Sequence, residues 1–159
     1  IAAVKAKFEQ EDSGNTSCDR RYYIMVAGYS WGGTAALKFA KTIKSDPYFS
    51  ERSVSISLGL LDPVSSGKIP INNTPDTVTS SLNLYQTNGC PRCVDLFGNF
   101  GLPGSLFKSR AINGLNNKPR SHLPGSHPNG KIDHADMMQF GPEIIQFLIN
   151  KEDEIRNDN

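Results

Sequence analysis

The chain has 159 residues, of which 37% are apolar and 21% charged, with 14 glycines and 10 prolines. This composition excludes a disordered or fibrous chain and suits one soluble, somewhat loop-rich domain that buries roughly 68–70% of its unfolded surface. With 17 Lys+Arg against 16 Asp+Glu the formal charge is +1, so no basic face is implied and nucleic acid is not expected as a partner. Its apolar runs, about ten residues or fewer, fall short of the roughly 18 that a membrane span needs.

In chain order, Ile1-Ala2-Ala3-Val4-Lys5-Ala6-Lys7-Phe8 has neither an initiator Met nor the layout of a signal peptide. It reads as the tail of an amphipathic helix already under way, as in a part of a longer protein or a processed form. Arg20-Arg21 then leads into Tyr22-Tyr23-Ile24-Met25-Val26-Ala27, a run whose length predicts a parallel strand buried on both faces. A Gly-rich turn follows. From Thr34 to Lys44 the spacing of Ala36, Phe39, Ala40 and Ile43 predicts a helix with one buried stripe, stopped at Ser45-Asp46-Pro47.

The segment from Ser53 to Leu61 alternates and then becomes wholly apolar, which predicts a second strand ending at Asp62-Pro63. Ser65 to Thr79 reads as a loop, Ser81 to Thr87 as a third strand, and Asn88 to Gly104 as a second long loop carrying Cys90 and Cys93. Arg110 to Leu115 fits a short edge strand. Helical pattern returns at Ala135, with Pro142 at a first helical position and Ile145, Leu148 and Ile149 as its buried stripe. This order predicts an α/β fold, with a mostly parallel sheet and flanking helices in a single domain over residues 1–159.

Chemistry concentrates at Gly28-Tyr29-Ser30-Trp31-Gly32. A strand entering G-x-S-x-G and leaving as a helix forms a tight turn that exposes the serine above the sheet edge. Gly28 and Gly32 are expected to avoid clashes with strand and helix, and Gly33 to permit close approach. Ser30 is the candidate nucleophile, and the backbone N–H of Trp31, at the helix N-terminus, is the expected oxyanion donor. Tyr29 and Trp31 flank the serine as candidate substrate-binding residues, with packing into the core as the alternative for either.

A serine hydroxyl needs a base, and the base an orienting acid. The histidines are His122, His127 and His134, all after Ser30. His134, directly before the terminal helix, is the candidate base, with His122 its rival. Asp62 is the candidate acid because catalytic groups gather at the carboxyl ends of parallel strands. Pro63 should bias it to an extended backbone. Asp76 and Asp95 are the alternatives, while Asp133 and Asp136 stand too near His134 in sequence.

These residues resemble the α/β-hydrolase superfamily, in particular lipase- and esterase-like members with a G-Y-S-W-G-G elbow. The resemblance spans the C-terminal half of that fold. It implies a catalytic set at Ser30, Asp62 and His134, and hydrolysis of an ester, thioester or amide through an acyl-enzyme without metal or cofactor. An acid after the strand that follows the elbow helix is the less common placement, used by lipases of this superfamily. The substrate implied is a small-molecule carboxyl ester or lipid. The family's first strands, and the loop supplying a second oxyanion N–H, precede the elbow by more residues than stand here. A missing N-terminal segment or another chain is therefore expected to complete the sheet. The rival expectation is a catalytically weak or inactive binding module of the same fold, or a thioesterase.

The cysteines leave three readings open: a disulfide within Cys90-Pro91-Arg92-Cys93 or from it to Cys18, a redox site, or half a zinc site. The loop-stapling disulfide is preferred, because the sequence after Cys93 is a poor helix. Asn15-Thr16-Ser17 and Asn72-Asn73-Thr74 match the N-glycosylation pattern and lean toward a secreted location.

Overall fold

The computed structural model describes residues 1–13, 21–64, 74, 76–91, 93 and 107–157. Strands β1 (Arg21–Tyr29), β2 (Ser53–Leu61), β3 (Val78–Tyr85) and β4 (Asn117–Pro119) form one sheet in the order β1-β2-β3-β4, every neighbouring pair parallel. Helix α1 (Ala2–Asp12) precedes β1, and α2 (Trp31–Ser45) and the single turn α3 (Pro47–Ser50) join β1 to β2. A 3-10 helix (Asp136–Phe140) runs directly into α4 (Gly141–Asn157).

Alternation along β2 sorts the core into two layers, because successive strand residues face opposite sides. Ile56, Leu58 and Leu60 pack with Ala36, Leu37, Ala40 and Ile43 of α2. Leu61 packs on the other side with Leu82, Leu84, Met137 and Ile144. Central strand β2 is thereby covered on both faces and reads apolar, as parallel strands do. A bulge between Ile56 and Ser57 lets Val78 join the α2 layer while Leu82 and Leu84 face α4.

Four expectations change. Strand β1 is not covered on both faces: it lies at the edge of the described sheet, with Tyr23 and Ala27 exposed on the α4 side. The stripe of α4 is turned by one residue. Ile144 is buried where Gly59 leaves room, since a Cβ on Gly59 would stand 2.6 Å from Ile144 Cγ2, whereas Ile145 and Ile149 are 59% and 45% exposed. The third strand starts and ends earlier than read, because the Ile56 N–H already bonds to the Thr77 carbonyl and the chain leaves the sheet at Gln86. Arg110 to Leu115 makes no strand. Instead the Asn117 side chain accepts from the Ile112 N–H and donates to the carbonyls of Ile112 and Leu115, so an amide takes the place of a neighbouring strand. The short strand β4 follows at Asn117 itself.

Cys90 and Cys93 are joined by a disulfide, the within-pair form of the stapling expected from sequence. Cys18, both candidate glycosylation asparagines and most of the two long loops lie outside the described residues. Among the described residues no helix is long and apolar enough to cross a membrane.

Candidate active site

The register of the sheet assembles the site. Tyr29 pairs with Leu61, and Leu61 with Leu84, so β1, β2 and β3 end side by side. Ser30 and Asp62 are each the first residue beyond their strand, and Gln86 is the first beyond β3. Neighbouring strands lie roughly 4.8 Å apart, close enough for the side chains at their ends to meet.

The turn at Ser30 is tight and pinned. Ser30 has φ 56° and ψ −127°, a positive φ that costs a residue with a side chain on the order of 1–3 kcal/mol. Its N–H donates to the Leu61 carbonyl at 3.0 Å, and its own carbonyl accepts from Gly33 at 3.1 Å and Val64 at 3.2 Å. A Cβ on Gly28 would stand 2.3 Å from the Gly32 carbonyl oxygen, so glycine is required there. At Gly32 a Cβ would meet nothing within 4 Å, contrary to the expected clash. The close approach belongs to Gly33, where a Cβ would stand 2.8 Å from Pro63 Cβ.

Asp62 is fully buried and also has a positive φ, 47°, rather than the extended backbone expected before Pro63. The physical reason is the return of the chain over the elbow. The Asp62 N–H continues the ladder to the Leu84 carbonyl at 2.7 Å, while two residues on Val64 already bonds to Ser30 and its carbonyl accepts from the Thr34 hydroxyl at 2.5 Å. Aspartate tolerates such a conformation better than most residues with a side chain.

His134 comes from the loop before the 3-10 helix. Its Nε2 is 2.9 Å from Ser30 Oγ and its Nδ1 is 2.5 Å from Asp62 Oδ2. A carboxylate only accepts, so Nδ1 carries the proton and Nε2 is left to accept from the serine hydroxyl. That is the order of donors a general base needs.

The loop is held from both sides. Its His134 N–H donates to the Gly89 carbonyl at 3.0 Å, and its carbonyl accepts from the Tyr29 hydroxyl at 2.8 Å. The Tyr29 ring stacks on the imidazole, centroids 4.9 Å apart and 13° from parallel. Burial, with the negative charges of Asp62 and Asp133, pushes the Tyr29 phenol up to about 12.

The other candidates are elsewhere. Asp76 pairs with Lys44 on the surface, and Asp95 lies outside the described residues. Asp133 and Asp136 cap the loop: Asp133 Oδ1 accepts from the Asp136 N–H, and Asp136 accepts from the Ser126 and Asp133 N–H groups and the Ser126 hydroxyl. His127 Nδ1 accepts from the Asn129 N–H within the turn ending at Lys131. His122 stands in the turn after β4, and it is the His134 ring that reaches Ser30.

Trp31 is 47% exposed beside the serine, and its N–H opens α2, where the first helical N–H groups have no intrahelical acceptor. Tyr29 has its hydroxyl on the His134 loop and also lines an apolar cavity of about 260 Å³ with Ala27, Gly28, Leu61, Gly141, Ile144 and Ile145. Phe107, with its ring 5.2 Å from His134 and 6.2 Å from Trp31, was missed in the sequence because nothing in its neighbourhood marks it. Gln86 was missed as well; its only signal was a polar residue at an inward position of an alternating run.

Comparisons with family models, with curated proteins and with solved structures returned no match for this chain.

Proposed function

We propose that the chain is a serine hydrolase of the α/β-hydrolase type that cleaves a carboxyl ester through an acyl-enzyme. The observation that carries this reading is the continuous hydrogen-bonded line from Ser30 Oγ through the His134 ring to buried Asp62. His134 Nε2 takes the hydroxyl proton as Ser30 Oγ bonds to the ester carbonyl carbon. The oxygen that becomes negative lies toward the Trp31 N–H. As the tetrahedral adduct collapses, the ester C–O bond breaks and the same proton goes to the departing alcohol. Water, deprotonated by His134, then releases the acid and restores Ser30. The choice of an ester with an apolar acyl chain rests on exposed Trp31 and on the cavity beside the elbow.

The test is treatment with a fluorophosphonate, mapping of the adduct by mass spectrometry, and turnover of a panel of p-nitrophenyl esters. One adduct at Ser30, lost in Ser30→Ala, with ester turnover, is the expected result. No adduct overturns the reading. Cleavage of a thioester but no ester moves the substrate to that class.

A second reading is favoured by the place of β1 at the edge of the sheet among the described residues. In it, the fold serves as a hydrolase-like module that is weak alone and gains activity when a further strand, from a preceding segment or another chain, extends the sheet. Labelling only of a version extended before Ile1 would single it out.

A further inference from the structure

Gln86 is fully buried, and all four hydrogen-bonding positions of its side-chain amide are used. Its Nε2 donates to Asp62 Oδ2 at 2.8 Å and to the Phe107 carbonyl at 2.7 Å. Its Oε1 accepts from the N–H groups of Asn88 at 2.7 Å and Gly89 at 2.9 Å. Two acceptors face the nitrogen and two donors face the oxygen, so only one orientation of the amide satisfies the site. The Gln86 backbone N–H adds a bond to Asp62 Oδ1 at 3.0 Å. Both carboxylate oxygens are therefore held by this one residue, and Oδ2 is the oxygen that also meets His134 Nδ1.

The bonds close a circuit. Asp62 leads to Gln86, Gln86 Oε1 to the Gly89 N–H, the Gly89 carbonyl to the His134 N–H, and the His134 ring back to Asp62. The acid sits at a strand end and the base on a loop, and Gln86 is the side chain bonded toward both. Resting on the serine-hydrolase reading above, we propose that Gln86 is a positioning residue that fixes the rotation of the Asp62 carboxylate and the approach of the His134 loop. It touches no reacting atom and acts through those two residues.

Gln86→Glu tests this while conserving shape. The introduced carboxyl has no donor for Asp62 once ionised, and then places two carboxylates in contact; protonated, it donates again. Such like-charge contact raises the range over which it titrates. The ratio of variant to wild-type rates of fluorophosphonate labelling at Ser30, measured on the whole chain between about pH 5 and about pH 8, is expected to fall as pH rises. Gln86→Met, which removes the side-chain bonds, is expected to lower labelling and the kcat for a p-nitrophenyl ester about 10²-fold with KM little changed. Circular dichroism at each pH reports folding. If the Met variant does not fold, the Glu variant decides by itself, through the change of its ratio between the acid and the alkaline end of the range. A folded Gln86→Glu variant with a ratio near one at every pH overturns the role of Gln86 and leaves the hydrolase reading intact. Absence of wild-type labelling at Ser30 instead overturns that reading, and with it this assignment.

Discussion

Two glycines flank Ser30, and the space around them differs. At Gly28 a methyl group would run into the Gly32 backbone, which cannot move without opening the first turn of α2. Gly28→Ala should therefore destabilise by about 1–3 kcal/mol, the range for forced overpacking, and slow labelling at Ser30. Gly32→Ala should be neutral or slightly stabilising, since the site is open and alanine is the better helix former. Thermal melts of the two variants check the pair, and equal losses would contradict the geometry. Tyr29 carries the pH prediction. Its phenol is neutral in the fold up to about 12 because of burial and then the nearby carboxylates, against 10.0 for a free phenol. A raised value means that its contribution to stability is complete below about 10 and is lost as pH rises toward about 12. Absorbance titration should show a tyrosinate step at about 12 that Tyr29→Phe removes. At this scale the sequence was informative where chain order and strand ends speak: Ser30, Asp62 and His134 could be named, and the structure brings them within hydrogen-bonding distance. Gln86 could not, because the role of a buried amide depends on partners from Asp62, Phe107 and Gly89 that only the fold collects.

Among the elements, β1, β2 and α2 were legible from two apolar runs and one helical stripe, while the phase of α4 was not. Two apolar stripes compete on that helix, and only the dent at Gly59 selects Ile144 over Ile145. The strand expected at Arg110 to Leu115 failed for a comparable reason, as no periodicity announces that the Asn117 amide will satisfy the backbone there. The turn from Gln86 to Cys93 is the element nearest the chemistry. Its disulfide is buried against Phe107 and Ala135, directly after Gly89, whose carbonyl holds His134. Reduction releases a short closed loop, worth about 2 kcal/mol in the chain-entropy model. A melt in the presence of a phosphine reductant should shift down accordingly, with slower labelling of Ser30 at temperatures where the chain remains folded. An unchanged melt and rate would show that packing alone holds the turn.

For the molecule as a whole, β1 is the open question. It is nine residues long, contains no proline and one charged residue, Arg21, and on its outer side no described strand covers its backbone groups. An edge of this kind templates association. Copies of this chain should therefore associate with rising concentration in sedimentation velocity, and Met25→Lys, which puts a charge on the half-buried α4 face of β1, should reduce it. A monomer at all concentrations would mean that the edge is harmless as it stands. The parallel order was readable from alternating strand and helix, whereas the edge position of β1 in the described sheet was expected only from the resemblance, because the β1 sequence is as apolar as that of a covered strand.

The circuit through Asp62, Gln86, Gly89 and His134 has a thermal consequence. Ser30 and Asp62 are spaced by the ladder of the sheet, which lets go only when the sheet does. His134 rides on a loop, and loops open at lower free energies than core strands. Without a tether, warming would detach the base from an otherwise intact scaffold. Anchored through the Gln86 amide to the end of β3 and through the Tyr29 hydroxyl to the end of β1, the loop is coupled to the sheet, so the two should loosen close together and the window of folded but idle molecules should be narrow.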